Sequence, residues 1–398
     1  MRSLELFIDY TCPYAYLASV QAEAAARRAG AALSWRPFLL GGVFKAVGTP
    51  QRLFEALSPA KARHNGLDMA RWAARHGVPL RMPEGHPYRS VEALRATLAA
   101  GCDPAVIHGF YRAYWAQGRP VSDPETLRAV LTDAGHDAAE VLARADAPAT
   151  REALREATDR AIALGVFGAP ALLVDGAELY WGQDRLAMAL GEPPVTDATP
   201  RPRTGRVLEL YWDFSSPFAY LASAQAEALA ARTGAALVHR PMLLGGLFKA
   251  LGQDDVPLLS FGEARQRYYH RDLERLAAWW GVPFRFPSRF PLRTVLPLRV
   301  YLALPEARRG AFRHGVFRAA WAEDRDVSDP AVLTELLGDG AAEVLLRAST
   351  DEVKSALRSA TDRALAEGVF GAPTWVVDGT ELFWGQDRIP LVESALTT

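Results

Sequence analysis

The chain carries one long pattern twice. "DYTCPYAYLAS" at residues 9–19 returns as "DFSSPFAYLAS" at 213–223, an offset of 204. The same offset carries "RPFLLGGVFKAVG" (36–48) onto "RPMLLGGLFKALG" (240–252), and Gly77-Val78-Pro79 onto Gly281-Val282-Pro283. The offset grows to 206 between "GRPVSDP" (118–124) and "DRDVSDP" (324–330). It falls to 203 for "GVFGAP" (165–170, 368–373) and "WGQDR" (181–185, 384–388). Such small changes mark short insertions in loops, and a period near 200 residues is a whole domain rather than a solenoid repeat. A length of 398 residues fits two such domains. Between them "GEPPVTDATPRPRTG", with four prolines, reads as a semi-rigid linker. The expected organisation is a first domain over 1–190, a linker over 191–205 and a second domain over 206–398. Fused copies of this kind are expected to pair as an intrachain pseudo-dimer.

Within one copy, "LELFID" alternates and then turns apolar, which predicts a strand. Pro13 suits the first turn of a helix, Tyr16, Leu17, Val20 and Ala24 share a helical face, and Gly30 ends it before a second strand, "ALSWRPF". Residues from about 50 to 163 are rich in Ala, Arg and Leu at helical spacing. "APALLVDG" and "AELYWG" then read as a hairpin around Asp-Gly, closed by a helix in "QDRLAMAL". Strand–helix–strand implies a parallel pair and the hairpin an antiparallel one. The predicted fold is α/β: two tandem thioredoxin-like domains, each with a large all-helical insertion.

Charge and composition exclude several functions. A formal net charge of −1 and no basic tract give no electrostatic reason to bind nucleic acid or a membrane. No stretch approaches the roughly 18 apolar residues of a membrane span, and the start does not read as a signal peptide. With only Cys12 and Cys102, no disulfide framework is expected, and a cytoplasmic location fits best. The histidines are isolated, so no metal is expected. "LLGG" lacks the lysine and hydroxyl residue of a phosphate loop. Cys102 reads as a bystander in a turn. Trp115, Trp321, Trp181, Trp384, Tyr114 and Phe218 could line a pocket, but core packing is the expectation for most.

A strand ending in D-[YF]-x-[CS]-P-[YF]-A-Y-L, then GG-x-F-K-A-x-G, GVFGAP and WGQDR, in that order and twice, resembles the 2-hydroxychromene-2-carboxylate isomerase family. That family is related to kappa-class glutathione transferases and DsbA-type oxidoreductases. The resemblance covers both copies and leaves out only the linker. It implies glutathione, or another low-molecular-weight thiol, as cofactor and a small aromatic compound as substrate. It places Ser216 beside the thiol sulfur, with Cys12 in the same position of copy one. It makes Pro170 and Pro373 cis-prolines, with the backbone of Ala169 and Ala372 turned outward to pair with the ligand. Asp184 and Asp387, flanked by Gln183 and Gln386, are implied to meet the γ-glutamyl end. Many relatives have Asn in the loop after FKA; here Thr49 and Gln253 are the nearest candidates.

The implied reaction is addition of the thiolate to a conjugated carbon, rotation, and elimination to the trans product. Lys45, Lys249, Arg36 and Arg240 are candidate partners of the substrate carboxylate. Ser216 also suits a plain helix N-cap. A thiol at a helix start is expected to have a lowered pKa, which makes Cys12 a candidate nucleophile. Ala15 stands where a dithiol motif has its second cysteine, so Cys12 has no resolving partner. The alternatives are a thiol-disulfide oxidoreductase or kappa-like transferase using Cys12, or a non-catalytic thiol-binding or scaffold role for one copy.

Overall fold

The computed structural model describes residues 2–253 and 256–397. In the first copy the order is β1 (Arg2–Ile8), α1 (Pro13–Arg28), β2 (Ala31–Pro37), α2 (Leu40–Val47), α3 (Pro59–Arg75), α4 (Val91–Ala99), α5 (Pro104–Tyr111), α6 (Pro124–Asp133), α7 (Ala138–Ala145), α8 (Pro148–Ala163), β3 (Ala171–Val174), β4 (Glu178–Trp181) and the single-turn α9 (Leu186–Ala189). The second copy repeats it: β5 (Val207–Trp212), α10 (Pro217–Thr233), β6 (Ala236–Pro241), α11 (Leu244–Ala250), α12 (Glu263–Trp280), α13 (Val295–Ala303), α14 (Glu306–Trp321), α15 (Pro330–Leu337), α16 (Ala341–Ala348), α17 (Asp351–Ala366), β7 (Thr374–Val377), β8 (Glu381–Trp384) and α18 (Ile389–Thr397).

Each copy builds one four-stranded sheet, in the orders β2-β1-β3-β4 and β6-β5-β7-β8. The first two strands are parallel, with Leu4 opposite Leu33 and Leu208 opposite Leu237. The other pairs are antiparallel, and the hairpin turns at Asp175 and Asp378, both at positive φ as a tight Asp-Gly turn requires. Short β3 and β7 are wholly buried, which explains their apolar sequences, broken only by Thr374, whose hydroxyl donates to the Gly371 carbonyl. Between α2 and β3, and between α11 and β7, the chain is helical with no strand among the described residues, as the periodicity predicts.

The chain divides into two compact units. The first takes residues up to Ser58, Asn65–Pro193 and Gly262–Tyr268; the second takes Pro59–His64, Pro194–Phe261 and Tyr269 onward. The helical subdomain is tied to the central strand of its own sheet by tryptophan. Fully buried Trp115 donates its indole N–H to the Tyr10 carbonyl at 2.8 Å, and Trp321 does the same to Phe214 at 2.8 Å. These bonds grip the residues that follow β1 and β5, where the candidate site begins.

In the second unit the end of the linker lies against the end of α10. Arg201 and Thr204 donate backbone N–H groups to Ala231 and Gly234, and a Cβ on Gly234 would sit 2.1 Å from the Pro202 carbonyl oxygen. Gly30, its counterpart, has open space at that position. Both have positive φ. Gly234→Ala is therefore expected to destabilise the protein by more than about 1 kcal/mol, and Gly30→Ala by less. Thermal and urea unfolding of the full chain checks the ranking.

Candidate functional site

The site starts from a buried carboxylate three residues before Cys12 or Ser216. Asp9 is 1% exposed and Asp213 is 0% exposed. Asp213 accepts hydrogen bonds from the Ser215 N–H (3.0 Å), the Leu244 N–H (2.7 Å) and the Thr294 hydroxyl (2.6 Å). Asp9 accepts from the Thr11 N–H (3.0 Å) and the Leu40 N–H (2.8 Å), with Ser90 in the place of Thr294. Burial pushes both carboxyls up, against the pull of these donors. The first residue of α2 or α11 and the residue before α4 or α13 are thereby fixed to the loop entering α1 or α10. These aspartates were not among the candidate residues, although they sit in the duplicated D-x-x-[CS]-P pattern.

Cys12 and Ser216 are both helix N-caps with extended backbone. The Ser216 hydroxyl accepts from the Ala219 N–H (3.1 Å) and donates to the Ala372 carbonyl (3.0 Å). The plain capping role is thus real, and it also fixes the hydroxyl against the loop before Pro373. Cys12 makes the matching thiol contact with the Ala169 carbonyl at 3.0 Å but no side-chain cap. Its expected low pKa is corrected here. Burial pushes the Cys12 thiol up to about 12, outweighing the helix-start amides of Ala15 and Tyr14. A single turn of aligned amides cannot replace the lost hydration of a thiolate only 7% exposed.

Both Ala169–Pro170 and Ala372–Pro373 are cis. The carbonyls of Ala169 and Ala372 accept from Cys12 and Ser216 respectively. Trp181 and Trp384 lie over the glycine two residues before the proline, so that a Cβ on Gly168 or Gly371 would fall 2.6 Å from the indole nitrogen. The GVFGAP and WGQDR patterns therefore pack on each other, which sequence spacing alone does not reveal. Within the first unit the Tyr268 hydroxyl accepts from the Trp181 N–H at 2.8 Å, and within the second the His64 Nε2 accepts from the Trp384 N–H at 2.9 Å.

Gln183 and Gln386 are 3% and 1% exposed. The Gln386 Oε1 accepts from the Trp280 indole N–H at 3.3 Å, and the Gln183 Oε1 from Gln21 at 3.1 Å. Indole nitrogen only donates, which fixes the Gln386 amide with its NH2 directed elsewhere. The Nε2 atoms of both glutamines are buried without a hydrogen-bond partner. Asp184 is held by Arg185 at 3.3 Å and Asp387 by Arg388 at 2.9 Å, so a ligand ammonium would share either carboxylate.

The candidate cations separate into two kinds. Arg36 is bound by Glu5 together with Arg160, and Arg240 by Glu209 at 2.6 Å. Their charge is shared with carboxylates of the neighbouring strand. Lys45 and Lys249 are exposed in the last turns of α2 and α11, with no ion pair among the described residues. Thr49 and Gln253 donate backbone N–H groups to Phe44 (2.8 Å) and Phe248 (2.9 Å), closing those helices. Trp115, Trp321 and Tyr114 are fully buried core, whereas Phe218, Trp181 and Trp384 are partly exposed. Cys102 is half-buried in a turn at positive φ. No cluster of three metal-ligating side chains occurs among the described residues, and no helix there is long and apolar enough to cross a membrane.

A DSBA-like thioredoxin domain matches residues 3–192 and again 207–397. A 2-hydroxychromene-2-carboxylate isomerase from Sphingobium xenophagum is 31% identical over 187 residues, covering 46% of this chain and 94% of the relative. One from Pseudomonas putida is 30% identical over 193 residues, covering 48% and 94%. Glutathione S-transferase kappa 2 of Caenorhabditis elegans is 26% identical over 210 residues, covering 48% and 92%.

The raised Cys12 pKa has a measurable consequence. Relative to an ordinary thiol near 9, its thiolate fraction at neutral pH is lower by about a thousandfold. Alkylation of Cys12 by iodoacetamide, followed by peptide mass spectrometry, is expected to be very slow at pH 7.5 and to rise about tenfold per pH unit past pH 10. A plateau below about pH 8 would contradict the burial argument.

Proposed function

The chain belongs to the DSBA-like thioredoxin domain family, with two copies of the domain, and we propose that it is a glutathione-dependent cis-trans isomerase of the 2-hydroxychromene-2-carboxylate type, with catalysis in the second copy. The observation that carries this reading is the Ser216 hydroxyl: buried, at the start of α10, and held against the loop of the cis-proline. Isomerases and kappa-class transferases among the relatives support a small-molecule reaction that uses glutathione.

The residues fit such a ligand. The unpartnered Gln386 Nε2 can donate to a carboxylate or amide oxygen, and Asp387 can share its charge with an ammonium. When bound, the thiol supplies reversible addition to a conjugated carbon, so that a cis double bond can turn and reform as trans. Ser216 holds the sulfur end. Its lone pair is occupied by the Ala219 N–H, so its proton is free to swing from the Ala372 carbonyl to a sulfur and stabilise negative charge there. The neutral hydroxyl does this without ionising, which suits a buried position. The aligned amides of α10 add to the same field. Lys249, exposed and without an ion pair among the described residues, is the cation placed to meet an aromatic substrate's carboxylate. We place the protein in the cytoplasm, where glutathione is abundant.

Copy one keeps the same thiol-facing design with Cys12 and the Gln183 Nε2. Its buried, weakly acidic thiol and the alanine at position 15 disfavour an oxidoreductase, and a non-catalytic thiol-binding role follows for that half. With glutathione present, Ser216→Ala is expected to lower kcat/KM for 2-hydroxychromene-2-carboxylate by about a hundredfold, followed by absorbance, while Cys12→Ser leaves it within about twofold. Loss on Cys12→Ser alone, or rapid glutathione-driven reduction of insulin, would sink this assignment.

A further inference from the structure

Away from the cis-proline loop, the second unit holds an open cavity of about 340 Å³ between α11, α13 and α17. Its apolar walls are aliphatic: Leu243, Leu247, Val295 and Leu357 line it, and no aromatic side chain does. Three cations, Arg299, Lys354 and Arg358, stand around that surface with one carboxylate, Asp362. Lys354 is engaged by Asp351 at 3.0 Å. The two arginines have no ion pair among the described residues, and the Arg299 Nε is shielded from solvent with no hydrogen-bond partner. A buried guanidinium N–H without an acceptor is costly, and a carboxylate is the acceptor that fits it bidentately.

The first copy differs at one of these two arginines. There Arg155, the counterpart of Arg358, is hydrogen-bonded to Glu152 at 3.0 Å and lies 3.6 Å from Asp159. The position of Glu152 is Ser355 in the second copy, and the position of Glu92 is Leu296. Glu152, the partner of Arg155, is thus lost while Arg358 stays; Glu92 pairs with Arg89 at 2.8 Å, and the Nε of Arg95, the counterpart of Arg299, is likewise buried without a hydrogen-bond partner.

We propose that this cavity binds an aliphatic monocarboxylate of medium chain length, its head on Arg299 and Arg358 and its tail on the leucine and valine wall. Asp362, at the rim, disfavours dianions and leaves room for a single negative charge. Ser216, Ala372, Pro373 and Asp387 do not line the cavity, so the site is separate from the thiol site.

Titration calorimetry of the full chain with octanoate, saturated beforehand with glutathione, tests this. One octanoate per chain is expected, tightening about fourfold per methylene from hexanoate to octanoate. The neutral analogue 1-octanol should bind at least about tenfold more weakly. Arg299→Met and Arg358→Met, which keep the aliphatic stem, should each weaken octanoate about tenfold, while Arg95→Met in the first copy leaves it unchanged. Absent binding, equal affinity for octanol, or sensitivity to Arg95→Met in place of Arg299→Met would overturn the proposal. The octanoate–octanol comparison on the unaltered protein stands even if an arginine variant fails to fold.

Discussion

Each half of this protein is organised around one carboxylate that never meets water. Asp213 gathers a donor from its own loop, one from the start of α11 and one from the residue before α13. Two segments distant in sequence are thereby fixed to the end of β5, and Asp9 repeats the arrangement with Ser90. Buried donors that converge on one acceptor are mutually dependent, since removing the acceptor strands all of them. The sheet, the helical subdomain and the N-cap three residues on therefore share one anchor. Trp115 and Trp321 hold the same stretch of chain from the helical side through their indole bonds.

That anchor places residue 12 or 216 where two electrostatic effects compete. The helix start favours negative charge, and burial opposes it. For the Cys12 thiol burial wins, and the group stays protonated. For Ser216 the contest does not arise, because a hydroxyl can serve as a donor while neutral. One backbone geometry thus gives a silent thiol in one half and a ready hydrogen-bond donor in the other. Helix position by itself is a poor guide to cysteine reactivity when the side chain is this far from solvent.

Much of the fold was legible in the chain. The duplication, the Asp-Gly hairpin, the parallel opening pair and the helical stretch between them each had a local signal. What was not legible depends on burial and on neighbours far away in sequence. Arg36 and Arg240 looked free until Glu5 and Glu209 were found across the strands. The contacts of the Ala169 and Ala372 carbonyls with Cys12 and Ser216 join segments more than 150 residues apart. Trp280 was hidden as one of two tandem tryptophans before "GVP", where the first copy has His76; only folding brings it to Gln386.

Duplication explains why such differences could accumulate without damage to the fold. The interactions that define each half, the sealed aspartate and the indole bonds, are kept in both copies. The positions that differ lie around this frame: Cys12 against Ser216, His76 against Trp280, Glu152 against Ser355. None of these is required to satisfy the buried carboxylate, so each could change while the backbone stayed in place. A chain with two copies keeps the buried frame in both halves while the residues around it diverge.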